Sequence, residues 1–176
     1  IIECVPNFSE GRNPQVIEAI AQSIRQVEGV KLLDVDPGKA TNRTVMTMAG
    51  APERVIEAAF QAISTAASLI DMRHHSGEHP RMGATDVCPL IPVSGITMEE
   101  TARYAHRLAK RVGDELGIPV YMYEAAATRP ERHNLATIRA GEYEGFARKM
   151  EQADWKPDYG PGTFNEKSGA TVIGAR

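Results

Sequence analysis

Apolar residues recur along the chain with two different spacings, which together predict an alternation of strands and helices. Short apolar runs bounded by turn-forming residues are typical of strands. Six such runs occur, at residues 1–5, 30–35, 43–49, 87–93, 119–123 and 170–175. Pro89 and Pro92 fall within the fourth run, and each removes a ladder donor, so we expect an edge position or a bulge there.

Three longer segments carry apolar residues at helical spacing, within residues 13–29, 52–70 and 97–117. The first two have proline at the first helical position, and the third begins with Thr97 and Glu100 at the spacing of a capping box. A weaker segment, residues 135–150, is expected to form short helical stretches. The second segment, with apolar residues at helical period and polar residues on the other face, is the most secure helix prediction.

The order of these elements is strand, helix, strand, strand, helix, strand, followed by further helices and strands. The first six match the split βαβ, or ferredoxin-like, βαββαβ motif. We therefore predict a single α+β domain over residues 1–176. It should have a mixed sheet with helices on one face, plus an appended C-terminal helix and strand.

Composition narrows the class of protein. The chain has 176 residues, of which 42% are hydrophobic, so a sizeable core is expected. A formal charge of -3 lacks the basic excess that drives phosphate-backbone binding, so nucleic acid is not an expected partner. Without a long apolar run or a signal-like start, we expect a cytoplasmic protein with no membrane association. Cys4 and Cys88 should then be buried free thiols.

A polar loop between the second helix and the fourth strand holds three of the five histidines, at positions 74, 75 and 79. It also carries Glu78 and Arg81, and this combination is typical of an active-site loop on a rigid scaffold. Solvated histidines are the alternative. A metal is not predicted, because Gly77 and Pro80 would break a helix presenting His75 and His79, and no third ligand is evident.

A second polar segment, residues 34–43, connects two predicted strands. Asp36 could orient an imidazole, and Arg43 could hold a substrate carboxylate through paired hydrogen bonds. A capped turn with a solvated arginine is the alternative. The later stretch 159–164 has too few glycines for a dinucleotide-binding fingerprint.

Several long, irregular stretches resemble the glutamate formiminotransferase family. They are ECVPNFSEG at 3–11, DVD at 34–36, TNRT at 41–44, GEHPRMGA at 77–84, IRAGEYE at 138–144 and GATVIGAR at 169–176. The resemblance covers nearly the whole chain. It implies a fold of two ferredoxin-like subdomains with the substrates in the groove between them, of which this chain corresponds to the N-terminal one.

The resemblance also implies an activity, the transfer of a formimino group from N-formimino-L-glutamate to tetrahydrofolate in histidine degradation, with His79 as the catalytic residue. The same comparison assigns folate binding to Gly160, Pro161, Gly162, Thr163, Phe164, Asn165, Glu166, Lys167, Ser168 and Gly169. We expect Asp36 or Glu78 to orient His79. Asn42, Arg43 and Arg81 are expected to bind the glutamate half of the substrate.

Other hypotheses remain open from the sequence. The chain could be a stand-alone folate-binding or dimerising module without turnover, or part of an enzyme whose C-terminal subdomain completes the groove. A homodimer is compatible with either. An amidine or amide hydrolase using the same histidine would release ammonia or glutamate without folate.

Overall fold

The computed structural model describes residues 1–176 as an α+β fold with a seven-stranded mixed sheet and five α-helices. In chain order the elements are β1 (Ile2–Cys4), β2 (Asn7–Phe8), α1 (Pro14–Arg25), β3 (Val30–Gly38), β4 (Arg43–Gly50), α2 (Pro52–Leu69), β5 (Thr85–Pro92), α3 (Met98–Leu116), β6 (Val120–Glu124), α4 (Leu135–Arg139), α5 (Glu142–Lys149) and β7 (Thr171–Ala175). None of the helices is long and apolar enough to cross a membrane.

The strands follow the spatial order β3, β4, β1 with β2, β5, β7, β6. β1 and β2 are two pieces of one interrupted strand, and both pair antiparallel with β4 and with β5. β7, the last strand in the chain, lies between β5 and β6 and is parallel to both. The sheet is therefore antiparallel at the β3 side and parallel at the β6 side.

The expectation that the two prolines put β5 at an edge is wrong. β5 lies inside the sheet, between the β1–β2 pair and β7. Pro89 is tolerated there because it lies opposite the break between β1 and β2, where its carbonyl accepts a hydrogen bond from the Val5 N–H at 3.2 Å. The pairing register shifts nearby, between Asn7 and Phe8. An irregular ladder, the other alternative, is what accommodates the proline.

The three long helices form one layer over one face of the sheet. Each begins as the sequence predicts, and the capping box of Thr97 and Glu100 is present at α3. Their apolar sides pack against the sheet and form with it a core of 30 buried residues. Cys4 and Cys88 lie in this core as free thiols, with their sulfur atoms 3.5 Å apart.

The opposite face of the sheet is only half covered, which corrects the prediction that helices lie on one face. Alternate side chains of β6, such as Tyr121 and Tyr123, point away from the main core. They pack with Phe146 of α5 and Ile138 of α4 in a second cluster of nine buried residues. The short helices therefore cover β7, β6 and the adjoining part of β5 on this face, and leave β1, β2, β4 and the rest of β5 open.

Candidate functional site

The uncovered part of the sheet forms an open groove with a volume of about 580 Å³. Its apolar floor comes from alternating strand positions, namely Val5, Val45, Val87, Pro89 and Ile91. Polar side chains also line it: Asn7, Arg43, His79, Arg139 and Arg176. The lining contains three arginines and no carboxylate side chain, so the groove is suited to an anionic ligand with an apolar portion.

His79 lines this groove at the end of the histidine loop, and its two ring nitrogens have different surroundings. Nδ1 lies 2.6 Å from Nη1 of Arg43 and 2.7 Å from the carbonyl oxygen of Pro80. Arginine can only donate and a carbonyl can only accept, so these contacts belong to two different protonation states of Nδ1. Nε2 makes no hydrogen bond to the protein. When Nδ1–H donates to Pro80, the lone pair of Nε2 is available to a ligand.

Asp86, which the sequence analysis missed, organises the arginines of the groove. Its side chain on β5 is 2% exposed, and its Oδ2 accepts hydrogen bonds from Arg139 Nη2 at 2.7 Å and from Arg43 Nη1 at 3.4 Å. Oδ1 accepts from the Met82 N–H at 2.9 Å. We call His79, Arg43, Arg139 and Asp86 the groove cluster.

The groove cluster carries a net positive charge, because it contains two arginines and one carboxylate. Burial raises the pKa of Asp86, while Arg139, the Met82 N–H and Arg43 act in the opposite direction. Burial also lowers the pKa of Arg43, which Asp86 opposes. With two guanidiniums on one carboxylate oxygen, the cluster retains capacity for a second anion.

Asn42 and His75 hold the histidine loop in place. The Asn42 side chain accepts from the Gly11 N–H at 2.9 Å and donates to the Ser76 carbonyl at 3.0 Å. Its backbone adopts φ 51°, a left-handed conformation that asparagine tolerates better than most residues. His75 Nε2 lies 3.0 Å from the Asn42 carbonyl. Asn42 therefore supports the loop, and its amide is already used for that purpose.

Arg81 lies outside the groove, with a side chain that is 9% exposed. Nε donates to His75 Nδ1 at 3.0 Å, and Nη2 donates to the His75 carbonyl at 3.1 Å. Its two terminal nitrogens also donate hydrogen bonds to the Glu144 carboxylate at 2.7 and 2.9 Å, and Nη1 lies 3.4 Å from Glu142. We call Arg81, His75, Glu142 and Glu144 the outer cluster. All nitrogens of Arg81 have protein partners, so the geometry does not favour the predicted substrate contact.

The predicted orienting carboxylates do not reach the His79 ring. Asp36 is an exposed residue of the edge strand β3, paired with Val45. Glu78 is exposed, and only its backbone N–H makes a hydrogen bond, to the Ala40 carbonyl at 3.2 Å. The ring is contacted instead by Arg43 and Pro80. Catalytic roles for Asp36 and Glu78 stay predictions.

None of residues 160–169 lines the groove. The segment is held by the ends of α2 and α3 and by the start of β5. Asn165 donates to the Gly117 carbonyl at 3.2 Å, Lys167 donates to the Ser68 carbonyl at 2.9 Å, and Gly169 forms a bridge with Gly83. Phe164 packs on Tyr143, with ring centroids 5.3 Å apart. Folate binding by this segment stays a prediction.

No group of three or more histidine, cysteine or carboxylate side chains is arranged to hold a metal ion. The groove presents an imidazole beside guanidinium groups. The fold and the groove together define an α+β domain in which an imidazole lies beside two guanidinium groups at an open sheet face.

Comparison with known proteins supplies the family. The family model described as the formiminotransferase domain, N-terminal subdomain, matches residues 1–176. The formimidoyltransferase-cyclodeaminase of Rattus norvegicus is 56% identical over all of this chain, which covers 32% of that protein. The glutamate formimidoyltransferases of Streptococcus pyogenes serotype M1 and Thermoplasma acidophilum are each 47% identical, and this chain covers 59% and 58% of them.

The chain therefore belongs to the formiminotransferase family and corresponds to its N-terminal subdomain. It spans about a third of the length of the animal relatives and a little over half of the length of the microbial ones. The resemblance seen in the sequence motifs is confirmed.

Proposed function

We propose that this chain is the N-terminal subdomain of an enzyme that transfers the formimino group of N-formimino-L-glutamate to tetrahydrofolate. The observation that carries the proposal is His79 on the rim of an open, arginine-lined groove, with Nε2 unpaired. The names of the relatives are consistent with it, because they are formimidoyltransferases that match over this whole chain.

The reaction requires proton movement at two nitrogens. The folate amine attacks the amidine carbon, so a carbon–nitrogen bond forms and the attacking nitrogen loses a proton. The bond from that carbon to the glutamate nitrogen then breaks, and the departing amine gains a proton. An imidazole can both accept and donate a proton, so one histidine can perform both transfers from one position. Pro80 would hold the Nδ1 proton while Nε2 exchanges protons with the substrates.

The groove has one wall in this chain, and we propose that the C-terminal subdomain of the family supplies the other. The apolar floor formed by β1, β2, β4 and β5 supports this, because an open sheet face of this kind is normally covered by a partner surface. The order β3, β4, β1 with β2, β5 further supports a ferredoxin-like arrangement for the first six elements. A homodimer stays a prediction.

We also propose a cytoplasmic location. Cys4 and Cys88 remain free thiols although their sulfur atoms lie within 3.5 Å, which suits a reducing compartment.

The decisive experiment is an assay of the full-length gene product with N-formimino-L-glutamate and tetrahydrofolate, in which formimino-folate is measured. Replacing His79 with alanine should lower the turnover rate on the order of a hundred-fold or more. His74→Ala is the matched control, since His74 is in the same loop with its side chain 81% exposed, and it should retain the wild-type rate.

Three outcomes would contradict the proposal. Folate binding without product would favour a binding module. Release of glutamate or ammonia without folate would favour a hydrolase. Unchanged turnover in His79→Ala would remove this imidazole from the mechanism.

A further inference from the structure

We infer that Arg139 and Arg43, both positioned by the buried carboxylate of Asp86, bind the α-carboxylate of the formimino amino acid. The inference rests on the proposed function and deepens it by assigning one substrate group to a pair of side chains. Arg139 is the binding residue that sequence patterns did not single out, and Asp86 is a positioning residue.

The first argument comes from the unused donors of Arg139. Its Nη2 is engaged by Asp86, but its Nε is buried without any hydrogen-bond partner, and its Nη1 makes no hydrogen bond to the protein. Unsatisfied buried donors are uncommon in native structures and call for an explanation. The side chain is 14% exposed and borders both the groove and a smaller cavity near Pro80. Nη1 is not among the buried unpaired atoms, and a ligand carboxylate in the groove would use this donor, which the protein leaves free.

The second argument comes from charge. Two guanidiniums share one carboxylate oxygen, so the groove cluster keeps a positive excess without any charge on His79. Asp86 is 2% exposed and lies behind the arginines, and therefore it fixes them without occupying the groove side. Arginine is well suited to bind carboxylates through two parallel hydrogen bonds.

The third argument identifies which carboxylate is bound. Arg43 contacts the ring of His79, so a carboxylate held by Arg43 and Arg139 lies close to the reacting centre. In the formimino amino acid, the amidine carbon is joined to the α-carboxylate through one nitrogen and the α-carbon only. The γ-carboxylate is further along a flexible chain. The glutamate tail of folate is separated from its reacting nitrogen by the aminobenzoyl group, and so is too remote to reach this position.

The test compares substrates and variants in a cycle, using the full-length gene product. The substrates are N-formimino-L-glutamate, its α-carboxamide and its γ-carboxamide, and the variants are the wild type and Arg139→Gln. The wild type should prefer the acid over the α-carboxamide by a factor on the order of one hundred in kcat/KM. In Arg139→Gln this preference should fall below about ten-fold. The preference over the γ-carboxamide should stay the same in both proteins.

Arg148→Gln is the matched control, because Arg148 is an exposed arginine of the neighbouring helix α5 whose guanidinium makes no hydrogen bond to the protein, and it should leave every ratio unchanged. A merely structural role for Arg139 would lower activity on all three substrates equally, and that result would overturn the inference. A selective loss of the γ preference would also overturn it. A further comparison uses tetrahydrofolate and its analogue without the glutamate tail. If Arg139→Gln selectively lost the preference for tetrahydrofolate over this analogue, that result would overturn the inference as well.

Calorimetry on the wild type gives a second, independent measurement. L-Glutamate should bind more tightly than its α-carboxamide, and equal affinities would overturn the inference even if Arg139→Gln does not fold. If the wild type transfers no formimino group, the proposed function fails, while this binding ratio still decides whether the carboxylate site exists. If transfer is normal and the ratios do not depend on Arg139, only the inference fails.

Discussion

Two arginine clusters lie on either side of one short segment, residues 138–144, and they use their donors in opposite ways. In the groove cluster, Arg43 and Arg139 share the single buried carboxylate of Asp86. In the outer cluster, Arg81 alone is held by two glutamates, Glu142 and Glu144. The groove cluster thus has more cations than anions, and the outer cluster has more anions than cations.

The difference shows how to separate a binding arginine from a structural one. Arg81 has the more exposed carboxylate partners, yet each of its nitrogens is occupied by the protein. Arg139 has a buried partner on one nitrogen and free capacity on the others. The number of donors left over, and not the presence of an arginine near the catalytic loop, indicates where an anionic substrate can bind.

The largest predicted effect is a loss of folding stability when the carboxylate of the groove cluster is neutralised, compared with the same change in the outer cluster. Asp86→Asn should lower the free energy of unfolding by about 3 kcal/mol, because two partly buried guanidiniums lose their only buried counter-charge. The same chemical change in the outer cluster, Glu144→Gln, should cost less than about 1 kcal/mol, because the Glu144 side chain is 65% exposed and solvent screens it. Urea unfolding of both variants measures the difference. Equal losses would show that burial does not distinguish the two clusters.

The second prediction concerns the segment 160–169, which contacts Tyr143 and Gly83. Gly169 has φ 70°, and an added Cβ would overlap the Met82 carbonyl oxygen, so Gly169→Ala should destabilise the fold by about 2 kcal/mol. Gly162 faces open space, and Gly162→Ala should change stability by less than about 0.5 kcal/mol. Thermal melts compare the two. Weaker folate binding by a fully stable Gly162→Ala would support the predicted folate role of this loop.

Sequence patterns predicted the elements well where the determinants are local. The capping box at Thr97 and the proline at the start of α2 fix helix ends through residues within one turn. The placement of β5 could not be predicted in this way. Pro89 is compatible with an interior strand only because the break between β1 and β2, more than 80 positions earlier in the chain, lies opposite to it.

The candidate site was predictable to the same extent. His79 stands out in the histidine-rich loop and Arg43 at the start of a predicted strand, and the structure brings them within 2.6 Å. The role of Arg139 depends on a contact across 53 residues, and the saturation of Arg81 depends on contacts across 61 and 63 residues. The one available indication was Asp86 itself, an acidic residue in an otherwise apolar strand, which needs a buried partner.

The third prediction tests the outer cluster directly. Arg81→Lys keeps the charge but loses the forked geometry that serves Glu144 and His75 together, so the free energy of unfolding should fall by about 1 kcal/mol. The KM for N-formimino-L-glutamate should not change, because Arg81 has no free donor to offer a substrate. Steady-state kinetics beside urea unfolding checks both parts. A raised KM in a stable variant would restore Arg81 as a substrate-binding residue.

The smallest effect is a pH dependence of stability that comes from His75 in the outer cluster. His75 Nδ1 accepts from Arg81 and Nε2 lies on the Asn42 carbonyl, and burial lowers the pKa of this histidine. An unfolded histidine has a pKa of about 6.5, so below that pH the unfolded chain binds a proton that the folded chain resists. The stability that neutral His75 contributes is complete above about pH 6.5. It is lost as the pH falls towards the lowered folded pKa.

The measurement is the slope of unfolding free energy against pH in wild type and in His75→Gln, over the acidic range just below neutrality. The wild-type slope should be steeper, by less than the limit of about 1.4 kcal/mol per pH unit for one proton. His74→Gln serves as the control because its side chain is 81% exposed. Identical slopes in the wild type and His75→Gln would mean that His75 accepts a proton in the folded state, in which case Arg81 must release its Nε contact and gains a donor that could serve a ligand after all.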